Sequence, residues 1–237
     1  MKINWKKYFD RIVVLHLIER DDRKKSICHE LEKVGLLDYV DWHISVMHPH
    51  ENAIINGLNQ YNKGNLSKDH EYSCAREHYT IIKKAYYENL NNILIIEDDI
   101  LFLNDTEYIY NTLEHIPTGF DLLQFGCFCS HDPNILNCPK INEYWMMNRP
   151  VWTTQTYALS RKGMVNYLNM QDTYYRVADY PLFDFARIPQ LNNYLTTVPI
   201  TIQNLDMESN IRDMSENKQN KIHNQYEENV IVRNYRN

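Results

Sequence analysis

Three acidic residues, Glu97, Asp98 and Asp99, directly follow the aliphatic residues 93–96. Four aliphatic residues in a row are typical of a strand buried on both faces, so the acids are expected at the carboxyl end of a core strand. Ligands of open α/β sheets bind at that edge. Adjacent carboxylates repel one another unless a cation lies among them, and their oxygens suit Mg²⁺ or Mn²⁺. The spacing therefore predicts a metal site at the mouth of a cleft, where the cation could hold a phosphate; an acidic turn without a ligand is the alternative.

The elements that must position these acids alternate between strands and helices. Strands are predicted at 11–17, 39–46, 93–96, 121–128, 153–159 and 196–202. Helices are predicted from Asp21 to Gly35, from an N-cap at Ser73 to 89–92, at 108–115 and from Ser160 to 168. This alternation predicts an α/β fold with a mainly parallel central sheet. Residues 48–71 are a polar excursion. One domain is expected over 1–215, followed by a polar tail at 216–237.

The composition narrows the classes of function. The 237 residues carry a net charge of −6 and a sequence pI of about 5.9, which argues against a nucleic-acid binder, since such proteins usually present a basic face. Five cysteines, an odd number, favour a reducing compartment. No stretch approaches the ~20 apolar residues of a membrane span, so no transmembrane segment and a cytoplasmic location are expected. The six glycines are scattered, which excludes glycine-rich phosphate loops and favours a metal bridge to any bound nucleotide.

Several segments resemble glycosyltransferase family 25, the LPS-type transferases that include the collagen galactosyltransferases. In chain order the matching segments are 14–23, 73–78, 97–99, 156–163, 178–184, Gln203 and 209–211. The Glu-Asp-Asp motif is reproduced in full at 97–99. Three positions depart from the family pattern: His16 stands where Asn is usual, Ser73 replaces Gly and Glu77 replaces Ser. The resemblance implies a GT-A-like, Rossmann-like single domain, a nucleotide-sugar donor, a divalent metal and inversion at the anomeric carbon.

The resemblance also implies roles for the three acids. Asp99 is expected to be the main metal ligand. Glu97 is expected to bind the metal or the donor, through the ribose or a metal-bound water. Asp98 is expected on the donor side, although of the three it best suits a structural role. The cofactor expected with these ligands is Mn²⁺, or Mg²⁺ in its place.

Inversion further requires a base that accepts the proton of the acceptor hydroxyl. Asp179 is the first choice, because it falls in the matching Asp-x-x-Leu segment, and Asp184 is the second; a helix N-cap is the structural alternative for Asp179. Arg20 and Arg23 are candidates for binding the donor, or else belong to a solvated charged face. His78 is a candidate donor-side residue, although a hydrogen-bonded core histidine explains it equally simply.

The function expected from these features is a metal-dependent inverting glycosyltransferase. It would move galactose or glucose from a nucleotide-sugar, with UDP-hexose the expected donor, to a hydroxyl of a glycan, a lipid-linked saccharide or a protein. A catalytically degenerate member that binds sugars or partners is the alternative, and a sugar nucleotidyltransferase is disfavoured because the glycine-rich N-terminal loop is missing. The candidates for stacking against an acceptor sugar are the aromatic residues Trp145, Trp152, Tyr174, Tyr175 and Tyr180.

Overall fold

The computed structural model describes residues 2–48, 69–126, 138–148, 150–152, 154–172, 177–204 and 206–207. The strands are β1 (Arg11–Leu17), β2 (Asp41–Ser45), β3 (Asn92–Glu97), β4 (Ile100–Phe102), β5 (Leu122–Gln124), β6 (Trp145–Met147), β7 (Thr156–Ser160), β8 (Asn193–Thr196) and β9 (Thr201–Gln203). The α-helices are α1 (Asp21–Lys33), α2 (Asp69–Tyr87), α3 (Thr106–Glu114), α4 (Arg161–Asp172) and α5 (Tyr180–Phe185). Short 3-10 helices lie at Trp5–Lys7 and Leu37–Tyr39.

A seven-stranded sheet forms the centre of the molecule, with the strand order β2-β1-β3-β7-β5-β8-β6. Strands β1, β2, β3, β5 and β8 run in one direction, and β6 and β7 run in the other. Strands β4 and β9 pair separately as a small antiparallel sheet. The predicted α/β class with a mainly parallel central sheet is confirmed.

The aliphatic run before the acids is buried on both faces of the sheet, as predicted. In β3, Leu94 and Ile96 pack into one hydrophobic core, whereas Ile93 and Ile95 pack into the core on the opposite face. Each of these side chains is almost fully buried, which contributes roughly 1.5–3 kcal/mol per residue. The strand is thereby fixed in register, and its acidic end is held at one edge of the sheet.

The start of α4 is fixed by the Ser-x-x-Gly segment. The helix begins at Arg161, one residue after the predicted start, and the backbone N–H of Gly163 donates to Oγ of Ser160 at 3.1 Å. A Cβ at Gly163 would lie 2.1 Å from the backbone oxygen of Asp121, so the helix can approach the sheet this closely only with glycine there. From α4, the hydroxyl of Tyr167 donates to the backbone oxygen of Ala178 at 3.3 Å, which anchors the chain just before Asp179.

Some predicted boundaries are wrong. Helix α2 begins at Asp69, so Ser73 lies inside the helix instead of capping it, and its Oγ accepts a 2.7 Å hydrogen bond from the backbone of His48. The single strand predicted at 196–202 is two strands, β8 and β9, in different sheets. Pro199 lies between them and has no N–H to continue a ladder. Strand β6 falls in a segment, 130–150, for which no strand was predicted.

Parts of the predicted organisation lie outside the described residues. These are most of the excursion at 48–71, the tail at 216–237, and therefore the domain boundary at 215, which stays a prediction. Among the helices that the structure describes, none combines the length and the apolar character needed to cross a membrane.

Candidate active site

A cavity of about 230 Å³ opens at the carboxyl ends of β1, β2 and β3. Glu97 ends β3, and Asp98 and Asp99 form the turn that leads into β4. All three acids line the cavity, and Arg23, Asp179 and Gln203 line it with them. The structure thus brings together residues that are up to 180 positions apart, Arg23 and Gln203, at the sheet edge where α/β proteins bind ligands.

Asp98 is the most fully engaged of the three acids. Nδ1 of His16 donates to its Oδ2 at 2.7 Å, the backbone N–H of Leu17 donates to the same oxygen at 3.2 Å, and Nη1 of Arg23 lies 3.2 Å from its Oδ1. These contacts tie the acidic turn to the end of β1 and to α1. They favour the structural role for Asp98, and they give the unusual His16 a direct partner in the acidic motif.

The two carboxylate oxygens of Asp99 differ in their contacts. Nη1 of Arg23 lies 3.1 Å from its Oδ2, and Nε2 of Gln203 donates to that oxygen at 3.0 Å. Its Oδ1 is buried and has no hydrogen-bond partner among the residues that the structure describes. Burial raises the pKa of Asp99 to about 6, with the charge of Arg23 acting in the opposite direction. A buried carboxylate oxygen without a partner is costly, so this atom is the best-placed ligand for a cation.

Glu97 is held by one buried residue, His78, and by one residue of the cavity wall, Thr154. Nε2 of His78 lies 3.1 Å from its Oε1, and the hydroxyl of Thr154 donates to the same oxygen. Burial by itself would raise the pKa of Glu97, but His78, the hydrogen bond from Thr154 and the charge of Arg23 together outweigh it, and the pKa is lowered. Glu97 is therefore an ionised acceptor at the cavity wall.

His78 itself is completely buried and is not among the cavity-lining residues. Its Nδ1 lies 2.8 Å from the hydroxyl of Tyr157, so both ring nitrogens have partners within the core. These contacts favour the hydrogen-bonded core histidine, which positions Glu97, over direct contact with a donor. Its expected donor-side role stays a prediction.

Glu97 also belongs to a second potential set of metal ligands, with Cys74 and His78. The ligand atoms of Cys74, His78 and Glu97 all lie within 4.8 Å of one another. Burial raises the pKa of the Cys74 thiol well above its usual value, with the carboxylate charge of Glu97 adding to the effect. A metal binds the thiolate, and the raised pKa keeps Cys74 as the thiol. This cluster is therefore a poorer cation site than the carboxylates of Glu97 and Asp99.

Asp179 occupies the N-cap position of α5, as its structural alternative requires, but its side chain accepts no capping hydrogen bond from the helix. The position is set instead by the backbone, because the N–H of Phe183 donates to the Asp179 carbonyl at 2.9 Å. Asp179 lines the cavity, together with the three acids. Its place on this cavity is compatible with the predicted role as the base, which stays a prediction.

Besides His78, two predicted site residues, Arg20 and Asp184, do not line the cavity. Arg20 pairs with the neighbouring Asp22 through hydrogen bonds of 2.8 and 2.6 Å. Asp184 lies 3.5 Å from Arg187, one turn along the chain, and its side chain is 30% exposed. Their assigned roles as a donor ligand and as the second-choice base remain predictions, but the described cavity favours Arg23 and Asp179 over them.

The cavity-wall residues that sequence reasoning missed as site residues include Thr154, Gln155 and Gln203. Gln203 belongs to a segment that resembles the family, and this was the available signal. Its contact with Asp99 joins residues 104 positions apart and depends on the pairing of β4 with β9. Nothing local in the sequence around Thr154 indicates its hydrogen bond to Glu97, because that contact follows from the antiparallel pairing of β3 with β7.

Among solved structures, the fold is similar to a glycosyltransferase involved in the glycosylation of the major capsid of PBCV-1, with 10% identity, coverage of 78% of this chain and 81% of that chain, and a TM-score of 0.44. It is also similar to mannose-1-phosphate geranyltransferase from Thermus thermophilus, with 10% identity, coverage of 78% and 73%, and a TM-score of 0.41. The apo form of the glycosyltransferase GlyE from Streptococcus pneumoniae matches with 11% identity, coverage of 77% and 44%, and a TM-score of 0.39. The comparison with curated proteins gave no match.

The sequence comparison with protein families is more decisive. The profile of Glycosyltransferase family 25 (LPS biosynthesis protein) matches residues 9–181, which is well over half of the chain. The matched range contains the acidic motif and Asp179. The chain belongs to glycosyltransferase family 25.

Proposed function

We propose that this protein is a metal-dependent, inverting hexosyltransferase that uses a nucleotide-sugar donor, with UDP-galactose or UDP-glucose the first donors to test. Membership of the family supports transfer of a sugar to an acceptor. The observation that carries the finer proposal is the buried, unpartnered Oδ1 of Asp99 on the wall of a cavity that Asp179 also lines.

The residues present fit a hard divalent cation. Asp99 and Glu97 offer carboxylate oxygens, which are the ligands that Mn²⁺ and Mg²⁺ prefer. When bound, the cation would stabilise the negative charge that develops on the leaving diphosphate. Asp98, whose oxygens are engaged by His16, Leu17 and Arg23, would keep the acidic turn in place.

Asp179 is the proposed base of the transfer. It would accept the proton of the acceptor hydroxyl while the oxygen of that hydroxyl attacks the anomeric carbon. The bond from the anomeric carbon to the diphosphate breaks as the new glycosidic bond forms, and the diphosphate leaves with the electron pair. Attack from the face opposite the leaving group inverts the configuration, and positioned general bases contribute typically 10²–10⁴-fold to such steps.

Two pairings favour the alternative of a sugar-binding protein without turnover. The guanidinium of Arg23 bridges Asp98 and Asp99, so a protein cation already partly neutralises the acidic turn. Glu77, which stands in place of the family's Ser, is also paired with a protein side chain, because Nε2 of His43 lies 2.5 Å from Oε2 of Glu77. A binder would bind UDP-hexose without consuming it.

The experiment that separates the two is donor turnover. The purified protein is incubated with UDP-galactose, UDP-glucose and other nucleotide-sugars, with Mn²⁺ or with EDTA, and released UDP and new glycosides are identified by mass spectrometry. The proposal expects UDP release that requires the cation. Metal-dependent binding of a donor without any release of UDP would support the alternative.

A further inference from the structure

Two stacked aromatic rings lie at the edge of the cavity. The rings of Trp152 and Phe183 are parallel within 16°, with their centroids 4.1 Å apart. The ring of Tyr180 contacts the same indole edge-on, with the two ring centroids 5.0 Å apart. The guanidinium of Arg187 lies 4.6 Å from the centre of the Phe183 ring. Trp152 is therefore packed into an ordered stack, yet it is 37% exposed and lines the cavity.

The stack and the proposed base are held by the same element. Tyr180 and Phe183 belong to α5, which begins directly after Asp179. Trp152 packs on this helix through both rings. An aromatic surface and a carboxylate are thus fixed relative to one another on one wall of the cavity.

We propose that Trp152 is the stacking platform for the acceptor, and that the acceptor is a saccharide. This inference rests on the proposed function, because it assigns the acceptor side of the same site. A sugar ring has an apolar C–H face and a rim of hydroxyls. The indole offers a flat apolar surface for that face, and Asp179 offers an acceptor for one of the hydroxyls. Because Phe183 already fixes the indole, little side-chain freedom is lost on binding.

The order of the strands argues against a nucleobase on Trp152. In the sequence β2-β1-β3-β7, the ends of β1 and β2 lie on one side of the acids, and they bring Leu17 and Ser45 to the cavity. Trp152 lies on the other side, two residues before Thr154, which bonds to Glu97 ahead of β7. Arg23, whose guanidinium pairs with Asp99, belongs to α1, the helix that follows β1 in the chain. The nucleotide therefore fits the side of β1 and β2, and the acceptor fits the side of Trp152.

The test compares Trp152→Ala, Trp152→Leu and Trp152→Phe with the wild type. Trp152→Leu keeps an apolar side chain against Phe183 without an aromatic face, so it separates loss of stacking from loss of fold. The control is Tyr87→Ala, because Tyr87 is 70% exposed at the end of α2 and is not a cavity residue. The probes are methyl β-D-galactopyranoside, methyl β-D-glucopyranoside, lactose and a serine- and threonine-containing peptide, each with UDP and Mn²⁺ present.

Binding is measured by saturation-transfer NMR and titration, UDP affinity is measured separately, and hydrolysis of UDP-hexose by water is followed without an acceptor. We expect at least one saccharide to bind, with an affinity about tenfold weaker in Trp152→Ala and Trp152→Leu, largely retained in Trp152→Phe, and unchanged in Tyr87→Ala. UDP affinity stays at the wild-type level in all the variants, and hydrolysis of UDP-hexose stays at that level in Tyr87→Ala.

The stacking role would be overturned by any of three results: no binding of any saccharide by the wild type, saccharide binding unaffected in folded Trp152→Leu, or a matching loss of UDP affinity, which would identify a nucleobase platform. Preferential binding of the peptide at Trp152 would overturn the saccharide assignment. Absence of donor hydrolysis in the wild type, with Trp152-dependent saccharide binding intact, would instead count against the proposed function alone.

Discussion

Gln203 donates a 3.0 Å hydrogen bond to Oδ2 of Asp99, while Oδ1 of the same carboxylate is buried with no hydrogen-bond partner in the described part of the chain. The side-chain amide of Gln203 and the guanidinium of Arg23 both contact Oδ2 and hold the carboxyl group from that side. The free oxygen is thereby oriented by its neighbours before any ligand arrives. Because the Asp99 carboxylate is already oriented, less conformational entropy is lost when it binds a cation.

The first prediction concerns the cation at this carboxylate. UDP is expected to raise the melting temperature only when Mn²⁺ or Mg²⁺ is present, and ligand at one hundred times its Kd stabilises by about 2.7 kcal/mol. Asp99→Asn should remove this metal-dependent stabilisation. Asp41→Asn, in an exposed ion pair with Arg11, is the matched control and should retain it. Differential scanning fluorimetry measures both, and an equal rise with EDTA would contradict the metal assignment.

The second prediction concerns the base. Asp179→Asn preserves size but removes the proton acceptor, so turnover should fall by roughly 10²–10⁴-fold. Metal-dependent UDP binding should hardly change, because the base faces the acceptor. Steady-state kinetics and UDP titration separate the two effects. The parallel variant Asp184→Asn should keep most of its activity, since Asp184 is not a cavity residue; the reverse pattern would exchange the roles of the two aspartates.

The third prediction is stereochemical. A single displacement with a base opposite the leaving group should convert an α-linked donor into a β-linked product. Proton NMR of the anomeric signal of the isolated product distinguishes the two configurations. An α-linked product would refute the inverting mechanism and the role of Asp179, while the metal site could still stand.

The fourth prediction concerns His16, which donates to the buried Asp98 from a position where the family usually has Asn. Hydrogen bonds to charged groups contribute about 1.5–3 kcal/mol, so His16→Ala should lower the free energy of unfolding by an amount in that range. His16→Asn should lose less, because its amide can still donate to the carboxylate. Urea denaturation at neutral pH measures both, and equal losses in the two variants would show that packing against Trp42, rather than the hydrogen bond, matters at this site.

The fifth prediction concerns Gly163. Its Cβ in Gly163→Ala would meet the backbone oxygen of Asp121 at 2.1 Å, so α4 must shift, at a cost of about 1–3 kcal/mol. The control is Gly35→Asn, because Gly35 has a φ of 65°, which Asn tolerates, and open space around its Cβ position. Thermal unfolding should show a clearly larger loss in Gly163→Ala. A loss as small as that of the control would mean that the helix adjusts freely.

Several features of the fold follow from local patterns. Strand β1 at Arg11–Leu17 agrees with its prediction residue for residue, because an apolar run between polar residues has one stable environment, the centre of a sheet. Helix α1 starts at Asp21, as its acidic first turn indicates. The antiparallel placement of β7 between β3 and β5 was not predictable in this way, since strand order depends on how distant segments pack.

The sequence by itself determined the acidic motif, the buried strand before it and the family, because these reside in neighbouring residues and in their order along the chain. The tertiary structure alone decided which carboxylate oxygen is left without a partner, that Gln203 and Thr154 hold the acids, and that Arg20 and Asp184 stay off the cavity. It also separated Trp152, at the cavity, from Trp145, which is fully buried in the core. The physical reason is that hydrogen bonds and burial depend on distances across the sheet, and residues about a hundred positions apart acquire those distances only when the strands pair.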